Sequence, residues 1–492
     1  MMNRENKRPV LTRRDLLKAG GRVLGAGFAG YAAYGLLGDR LGATERPLGE
    51  KAKAGIPLVR SRGRRGGNRP NILFILGDNH NAKTMGCAHH PFIQTPGMDR
   101  LAREGVLFEQ AFNTTALCSP SRASILTGAY AHRHGVRNNH TAWTGRFTTF
   151  PEYLSREGYA TAFIGKWHMP GGLPHLPFLD LFVAYTYREG QGAYFNCPMI
   201  VNGREVPSRK PYITEEVTDY AIEFIDQQRS RNDGRPFCVY LAHRPGHPPF
   251  QAPADIAGMY HDADVSRVLP PNVDPIWFGK TRGNVFQGIM MGSYEDQYRR
   301  YCETLTAMDR DIVRILDYLD RHNLSEKTIV VYMGDNGMQW GTHHCHGIRE
   351  PYEDSIRLPF IVRAPVIIHD PGGRRHQMIL NIDVAPTMLD LAGLEVPGDM
   401  DGISLAPVLG NPRGKTREAC LLEFWRYYPE NTPSYRGIRT ENFKYIEFER
   451  GRRPWLFDLK SDPGEMNNLF GRAEMSDIAN ELKERLAGLP RG

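Results

Sequence analysis

Two apolar runs of this chain end in the same way. "NILFILGDNH" (Asn71 to His80) and "KTIVVYMGDNG" (Lys327 to Gly337) are apolar at consecutive positions, rich in Ile, Val and Phe, and both stop at Gly-Asp-Asn. Apolar runs without alternation predict strands buried on both faces, as in a parallel sheet covered by helices. Before the second run, "LTAMDRDIVRILDYLDRHNL" places Leu305, Met308, Ile312, Ile315, Leu316 and Leu319 at helical spacing, which predicts a helix burying one stripe. Helix followed by strand is the order of an α/β fold. Runs around residues 159–168, 237–247 and 358–365 extend the scheme as further buried parallel strands.

In open α/β sheets ligands gather beyond the carboxyl ends of the strands. Asp78, Asn79, Asp335 and Asn336 are four oxygen donors at the ends of two strands that can lie side by side. Carboxylate and amide oxygens suit a hard cation, Ca²⁺ or Mg²⁺, better than Zn²⁺. Gly-Asp-Asn is also ordinary turn chemistry, so each motif alone leaves a plain turn open.

At 492 residues the chain has room for a large core and a smaller second unit. With 41% hydrophobic and 24% charged residues and no low-complexity run, disorder is excluded as the general state. The net charge of +7 suggests a nucleic-acid partner until it is located: residues 1–70 carry +11 and the remainder −4. The basic character belongs to the leader, which excludes nucleic acid as a partner of the body. Within the leader, Thr12-Arg13-Arg14-Asp15-Leu16-Leu17-Lys18 precedes a weakly apolar, Gly/Ala-rich segment from Ala19 to Leu37. Residues 1–43 read as a twin-arginine-type export signal, with the twin-arginine translocase as partner and a periplasmic or extracellular bacterial location. Residues 44–69 are polar, aperiodic and Gly/Pro/Arg-rich, and read as a linker. Seven scattered cysteines form neither a Cys-x-x-Cys pair nor a zinc pattern, and an odd number leaves one over in an exported protein. Cys118 is the candidate.

Cys118 stands in "TTALCSPSRASILTG". Cys118-Ser119-Pro120-Ser121-Arg122 is similar to the Cys-x-Pro-x-Arg signature of the sulfatases of the alkaline-phosphatase superfamily. Four further blocks carry the resemblance from Asn71 to Phe470: "GKWH" (165–168), "GDNG" (334–337), "PYEDSIRLPF" (351–360), and "RTENFKYIEF" with "PWLFDLKSDPGEMNNL". It implies a large mixed, mostly parallel sheet sandwiched by helices (residues 70–410) and a smaller C-terminal α+β subdomain with an antiparallel sheet (residues 411–492). It also implies that a formylglycine-generating maturation enzyme oxidises Cys118 to formylglycine. The implied Ca²⁺, or Mg²⁺, is held by Asp78, Asn79, Asp335, Asn336 and the group at 118. Arg122 would hold the hydrated aldehyde, Lys166 would bind sulfate oxygens and His168 would take the proton of the second hydroxyl. His247 in "RPGHPPF" would contact the ester oxygen and protonate the leaving alcohol, ahead of nearby His243.

The chemistry explains why a cysteine should be converted. A sulfate monoester is an anion with a poorly electrophilic sulfur, so attack needs charge neutralisation and an activated oxygen. A hydrated aldehyde offers two hydroxyls on one carbon, one to attack and one to expel sulfate, whereas a serine would stop at a stable sulfate ester. Pro120 suits the first turn of a helix beginning at the motif. Arg122, four residues on, would face the same way as Cys118, at a helix N-terminus that favours anions.

Two positions depart from the family pattern. Asn79 replaces the second aspartate after the first strand, and Ile348 stands where the family commonly has a lysine, with Arg349 beside it as a substitute substrate contact. "HHCHG" (His343 to Gly347) reads as loop, because consecutive side chains cannot all face one ion, and one histidine is reserved for substrate. Specificity is expected from loops at residues 187–205 and 260–300, with Trp425, Tyr427, Tyr428 and Arg452–Arg453 at the rim. The leading expectation is a sulfatase acting on a sulfated small molecule or polysaccharide. A phosphodiester or phosphonate monoester hydrolase of the same fold, and a binding homologue without catalysis, are the alternatives.

Overall fold

The computed structural model describes residues 69–186, 190–231, 233–268, 293–428 and 432–490. The leader, assigned to export, and nearly all of the linker lie outside them.

Ten strands form the main sheet: β1 (Asn71–Gly77), β2 (Val106–Phe108), β3 (Ala160–Gly165), β4 (Leu181–Tyr185), β5 (Met199–Val201), β6 (Arg204–Val206), β7 (Phe237–Ala242), β8 (Thr328–Gly334), β9 (Phe360–Arg363) and β10 (Gly373–Arg375). Their order across the sheet is β10-β2-β9-β8-β1-β7-β3-β4-β5-β6. The five central strands, β8, β1, β7, β3 and β4, are parallel. The sheet is therefore mixed and mostly parallel at its centre, as expected.

Alternate residues of the central strands enter two separate cores, one of them shared with Met98 and Leu101 of α1 (Pro96–Glu104). Ile72, Phe74 and Leu76 pack with Ala123, Ile125 and Leu126 of α2 (Cys118–Thr127) and with Phe150 and Leu154 of α3 (Phe150–Arg156). Leu73 and Ile75 face the other way, against Val217, Ala221 and Phe224 of α4 (Ile213–Arg231) and Leu305, Ile312 and Ile315 of α5 (Tyr294–Arg321). Burial on both faces is why these strands read as unbroken apolar runs. Each Leu, Ile, Val or Phe among them, fully buried, contributes about 1.5–3 kcal/mol of transfer free energy.

Three expectations change. β9, taken from its apolar run as another parallel strand, is antiparallel to β8 and β2. The residues between β8 and β9 stay at the carboxyl end of the sheet, where Gly337 N–H donates to Ser355 O (3.0 Å), so the chain re-enters from that end. The helix expected from Leu305 begins at Tyr294, behind a capping box formed by Ser293 and Asp296, so the last part of the 260–300 segment is helix; residues 269–292 lie outside the described residues. The 187–205 segment contains the β5–β6 hairpin, turned by Asn202 and Gly203 at φ 47° and 83°, the Asn-Gly signature of a tight hairpin.

The C-terminal part forms a four-stranded antiparallel sheet, β11 (Ala419–Phe424), β12 (Tyr435–Thr440), β13 (Phe443–Phe448) and β14 (Trp455–Asp458). Leu482 and Leu486 of the terminal helix α6 (Ser476–Gly488) join Ile438 and Ile446 in the hydrophobic core that α4 and α5 also line. All seven cysteines are free thiols.

Candidate active site

β1 and β8 run in register with Gly77 opposite Gly334, so the next residues, Asp78 and Asp335, leave the sheet together. Asp335 N–H donates to Gly77 O (3.0 Å), and Asn79 N–H donates to Asp335 Oδ1 (3.0 Å). Asn79 sits at φ 44°, in the left-handed region that asparagine tolerates better than most side chains. Two glycines let other chain segments close in: a Cβ on Gly246 would lie 1.8 Å from Asp78 O, and one on Gly165 would lie 2.0 Å from Ala242 O.

Cys118 opens α2, with Pro120 in its first turn, and all ten residues of that helix are buried. Four residues on, Arg122 turns to the same place. Its Nε donates to Asp335 Oδ2 (2.9 Å), its Nη1 donates to Lys166 O (2.8 Å), and its Nη2 is buried with no partner. Lys166, which follows β3, pairs through Nζ with Asp78 Oδ2. Cys118 Sγ lies 3.9 Å from Asp78 Oδ1, 3.7 Å from Asn79 Oδ1 and 3.5 Å from Asn336 Nδ2. Among the described residues, Asp78, Cys118 and Asp335 are the one set of three such groups whose donor atoms converge, all within 4.8 Å of one another.

The electrostatics follow from burial. Asp78, Lys166 and Asp335 are fully buried. Burial, then the charge of Asp78, raises the Asp335 carboxyl above its ordinary value, against the pull of Arg122 and Lys166. Burial pushes the Cys118 thiol up to about 12, so an unmodified thiol here stays protonated at neutral pH. The two carboxylates and two cations already balance. A divalent cation would leave the pocket with a surplus of about two positive charges, suited to an anionic ester.

The donor set fits such a cation once the Asn336 and Asn113 amides turn together. Asn336 Nδ2 points at Asp335 Oδ1 (3.1 Å) and Asn79 Oδ1 (3.4 Å), while its Oδ1 accepts from Asn113 Nδ2 (3.2 Å). Asn113 Oδ1 is buried without a partner. A coupled turn of both amides keeps the bond between them, with donor and acceptor exchanged, and brings the Asn336 oxygen to the carboxylates.

Two histidines flank the cluster. His168 sits at φ 46°; its carbonyl accepts from Ser119 Oγ (2.7 Å), and its Nδ1 is buried without a partner. Burial, then the charges of Lys166 and Arg122, hold it well below its ordinary value, so it is neutral and can accept a proton. His247 Nδ1 lies 2.7 Å from Pro248 O, an acceptor only, so Nδ1 carries the hydrogen; Nε2 then meets the amide nitrogen of Gln191 at 2.7 Å. His243 is buried with no hydrogen bond to its ring and is lowered to about 3 by burial. Arg349, at φ 104°, turns toward the C-terminal sheet: its Nε lies 3.4 Å from Tyr427 Oη, and its carbonyl accepts from Tyr435 Oη (2.9 Å). Ile348 is buried. In "HHCHG", His343 stacks on Tyr352 at 3.7 Å while His346 meets Trp340 edge-on at 4.8 Å, so the histidines diverge.

The sulfatase family model matches residues 70–394, and that of the N-sulphoglucosamine sulphohydrolase C-terminal region matches residues 341–491. The chain belongs to the sulfatase family. This sulfatase, a member of the alkaline-phosphatase superfamily and by family a sulfuric ester hydrolase, is 33% identical over 489 residues to an N-acetylglucosamine-6-O-sulfatase of Bacteroides thetaiotaomicron, covering 85% of this chain and 86% of that one. A solved structure in complex with its substrate D-glucosamine-2-N,6-O-disulfate superposes with a TM-score of 0.77 at 30% identity, covering 86% of this chain and 97% of the other. The phosphonate monoester hydrolase of Agrobacterium radiobacter shares the fold, with a TM-score of 0.66 at 22% identity over 85% of this chain and 95% of that one.

Sequence reasoning about the sulfatase missed Asn113, Asn139 and Gln191. Asn113 holds Asn336, Asn139 Oδ1 accepts from Ser119 N–H (3.1 Å), and Gln191 meets His247. In the sequence only Gln191 is marked, by the glycines on either side of it; Asn113 and Asn139 carry no such mark.

Proposed function

We propose that this sulfatase is exported and removes sulfate from a sulfated amino sugar, using formylglycine made from Cys118 by a maturation enzyme and a divalent cation, Ca²⁺ in first place. The observation that carries the reading is the convergence of Cys118, Arg122, Lys166 and the Asp78–Asp335 pair at the carboxyl ends of three parallel strands. The names of the similar proteins support an amino-sugar sulfate, and the twin-arginine pair Arg13-Arg14 supports export.

A hydrated formylglycine supplies a geminal pair of hydroxyls, and a cation held by Asp78, Asn79, Asp335 and Asn336 supplies positive charge for the ester oxygens. The chain's own residues do the remaining work. Arg122, anchored through two of its nitrogens, has Nη2 left to orient the group at 118. Lys166 draws in the sulfate. His168 accepts a proton at Nδ1; His247 Nε2, freed from Gln191, carries no hydrogen in this tautomer, so it protonates the leaving oxygen only after taking up a proton of its own.

Mass spectrometry of the Cys118 peptide, from a host with the maturation enzyme, should show sulfur lost and aldehyde oxygen gained, and the protein should release sulfate from glucosamine 6-sulfate. An unmodified thiol in fully active protein would sink the mechanism. Faster turnover of an aryl phosphonate monoester than of any sulfate ester would favour the phosphonate alternative. Arg13→Lys with Arg14→Lys should retain the precursor inside the cell, and normal export of that variant would remove the leader's assigned role.

A further inference from the structure

A loop beside the nucleophile carries exposed cations on aromatic rings. Residues 136–147 are fastened to the catalytic strand ends at two points. Asn139 accepts from the backbone of Ser119, next to Cys118. Trp143 N–H donates to Pro170 O (2.8 Å), and its ring meets Trp167, between Lys166 and His168, edge-on at 5.9 Å. Around these anchors the loop meets residues 425–428 of the C-terminal part. The Arg137 guanidinium lies 5.2 Å over the Trp425 ring, and the His140 ring lies 5.2 Å from that of Tyr427, which also reaches Arg349. Arg137, His140 and Arg426 are exposed, and Trp425 and Tyr427 are half-buried. Among the described residues neither Arg137 nor Arg426 pairs with an acid.

This combination suits one kind of ligand. A pyranose presents an apolar face of C–H groups, which an aromatic ring covers, and a guanidinium stacked on a ring keeps its outward N–H groups for a carboxylate or sulfate. The rim stands next to the site where the sulfated residue must lie, and its Arg137 and Arg426 have no acidic partner among the described residues. We infer that Arg137, Trp425 and the His140–Tyr427 pair bind an acidic sugar linked to the sulfated residue, so that the substrate is an anionic oligosaccharide rather than a free monosaccharide. This rests on the carbohydrate reading above.

The test is a binding measurement that does not depend on turnover. In a Cys118→Ala background, calorimetry compares glucosamine 6-sulfate with a heparin-derived tetrasaccharide ending in 6-O-sulfated glucosamine. The tetrasaccharide should bind at least about tenfold tighter, and Arg137→Glu or Trp425→Ala should remove most of that gap while leaving monosaccharide affinity within about twofold. In the otherwise unaltered enzyme, Arg137→Glu should lower kcat/KM for the tetrasaccharide and leave hydrolysis of an aryl sulfate unchanged. Equal affinity for the two sugars, a gap that survives both substitutions, or no binding of either would overturn the inference. A gap that stands in a protein that hydrolyses no sulfate ester would instead overturn the proposed function alone.

Discussion

Two clusters of buried charge in this sulfatase face the same electrostatic problem and come out with opposite signs. At the carboxyl ends of β1, β3 and β8, Asp78 and Asp335 meet Lys166 and Arg122. Where residues 351–357 meet the C-terminal sheet, Glu353 meets Lys444 Nζ (2.9 Å), Arg439 Nη2 (3.2 Å) and Arg357 Nη2 (2.5 Å), and Lys444 also binds Glu465 (2.6 Å) and Pro351 O (2.9 Å). Burial works against the charge on Glu353, yet Lys444, Arg439 and Arg357 outweigh it and hold the carboxyl well below its ordinary value. At Asp335 burial and Asp78 win, and the carboxyl is raised. No polar side-chain atom of the junction's Glu353, Lys444, Arg439, Arg357 or Glu465 is left buried without a partner, whereas Arg122 Nη2 and His168 Nδ1 are. A closed network stabilises its own geometry; an open one keeps capacity for a cation and an anion at some cost in stability.

The contrast can be broken in order of effect. Cys118→Ala should lower turnover of a sulfate ester by at least about 10⁴-fold, with thermal stability nearly unchanged. A variant that unfolds, or one that keeps activity, would show that the cluster is structural. Glu353→Gln should do the reverse, costing about 3–5 kcal/mol in denaturant titration because it leaves Lys444, Arg439 and Arg357 around a neutral group. Loss of turnover without loss of stability would contradict its place in the junction.

Within the junction, burial, with Glu353 alongside, pushes Glu465 up to about 7 from 4.5, against the opposing charge of Lys444. A carboxyl raised on folding keeps its proton longer in the folded chain, so its contribution to stability is complete below the unfolded value and declines as pH rises through the folded one. Relative to Glu465→Gln, which cannot titrate, the unaltered protein should lose about 3 kcal/mol of stability across that interval. Denaturant midpoints at several pH values test this; a constant difference would mean that Lys444 keeps Glu465 ionised throughout.

The smallest effect belongs to Asn79. Asn79→Asp should tighten Ca²⁺ binding to chelator-treated protein by adding a carboxylate. It should weaken the anionic ester by on the order of 1 kcal/mol, roughly fivefold in KM. If Asn79→Ala left metal affinity unchanged, Asn79 would not belong to the donor set.

Much of the fold was legible because its signals are local. Unbroken apolar runs mark strands covered on both faces, and Cys118-Ser119-Pro120-Ser121-Arg122 contains both a helix start and an i,i+4 pair, so the approach of Arg122 to the nucleophile follows from helical geometry alone. The matching ends "GDN" of β1 and β8 likewise imply that two acids share a strand edge, provided the strands are neighbours. That proviso, the antiparallel entry of β9 and the partners Asn113, Asn139 and Gln191 were decided only by the tertiary structure. They depend on contacts between segments far apart in the chain, which no spacing encodes. The same holds for the two charge clusters: the sequence by itself shows acids and bases in number, but whether a carboxyl is raised like Asp335 or lowered like Glu353 depends on how many cations packing brings within a few ångströms once water is excluded.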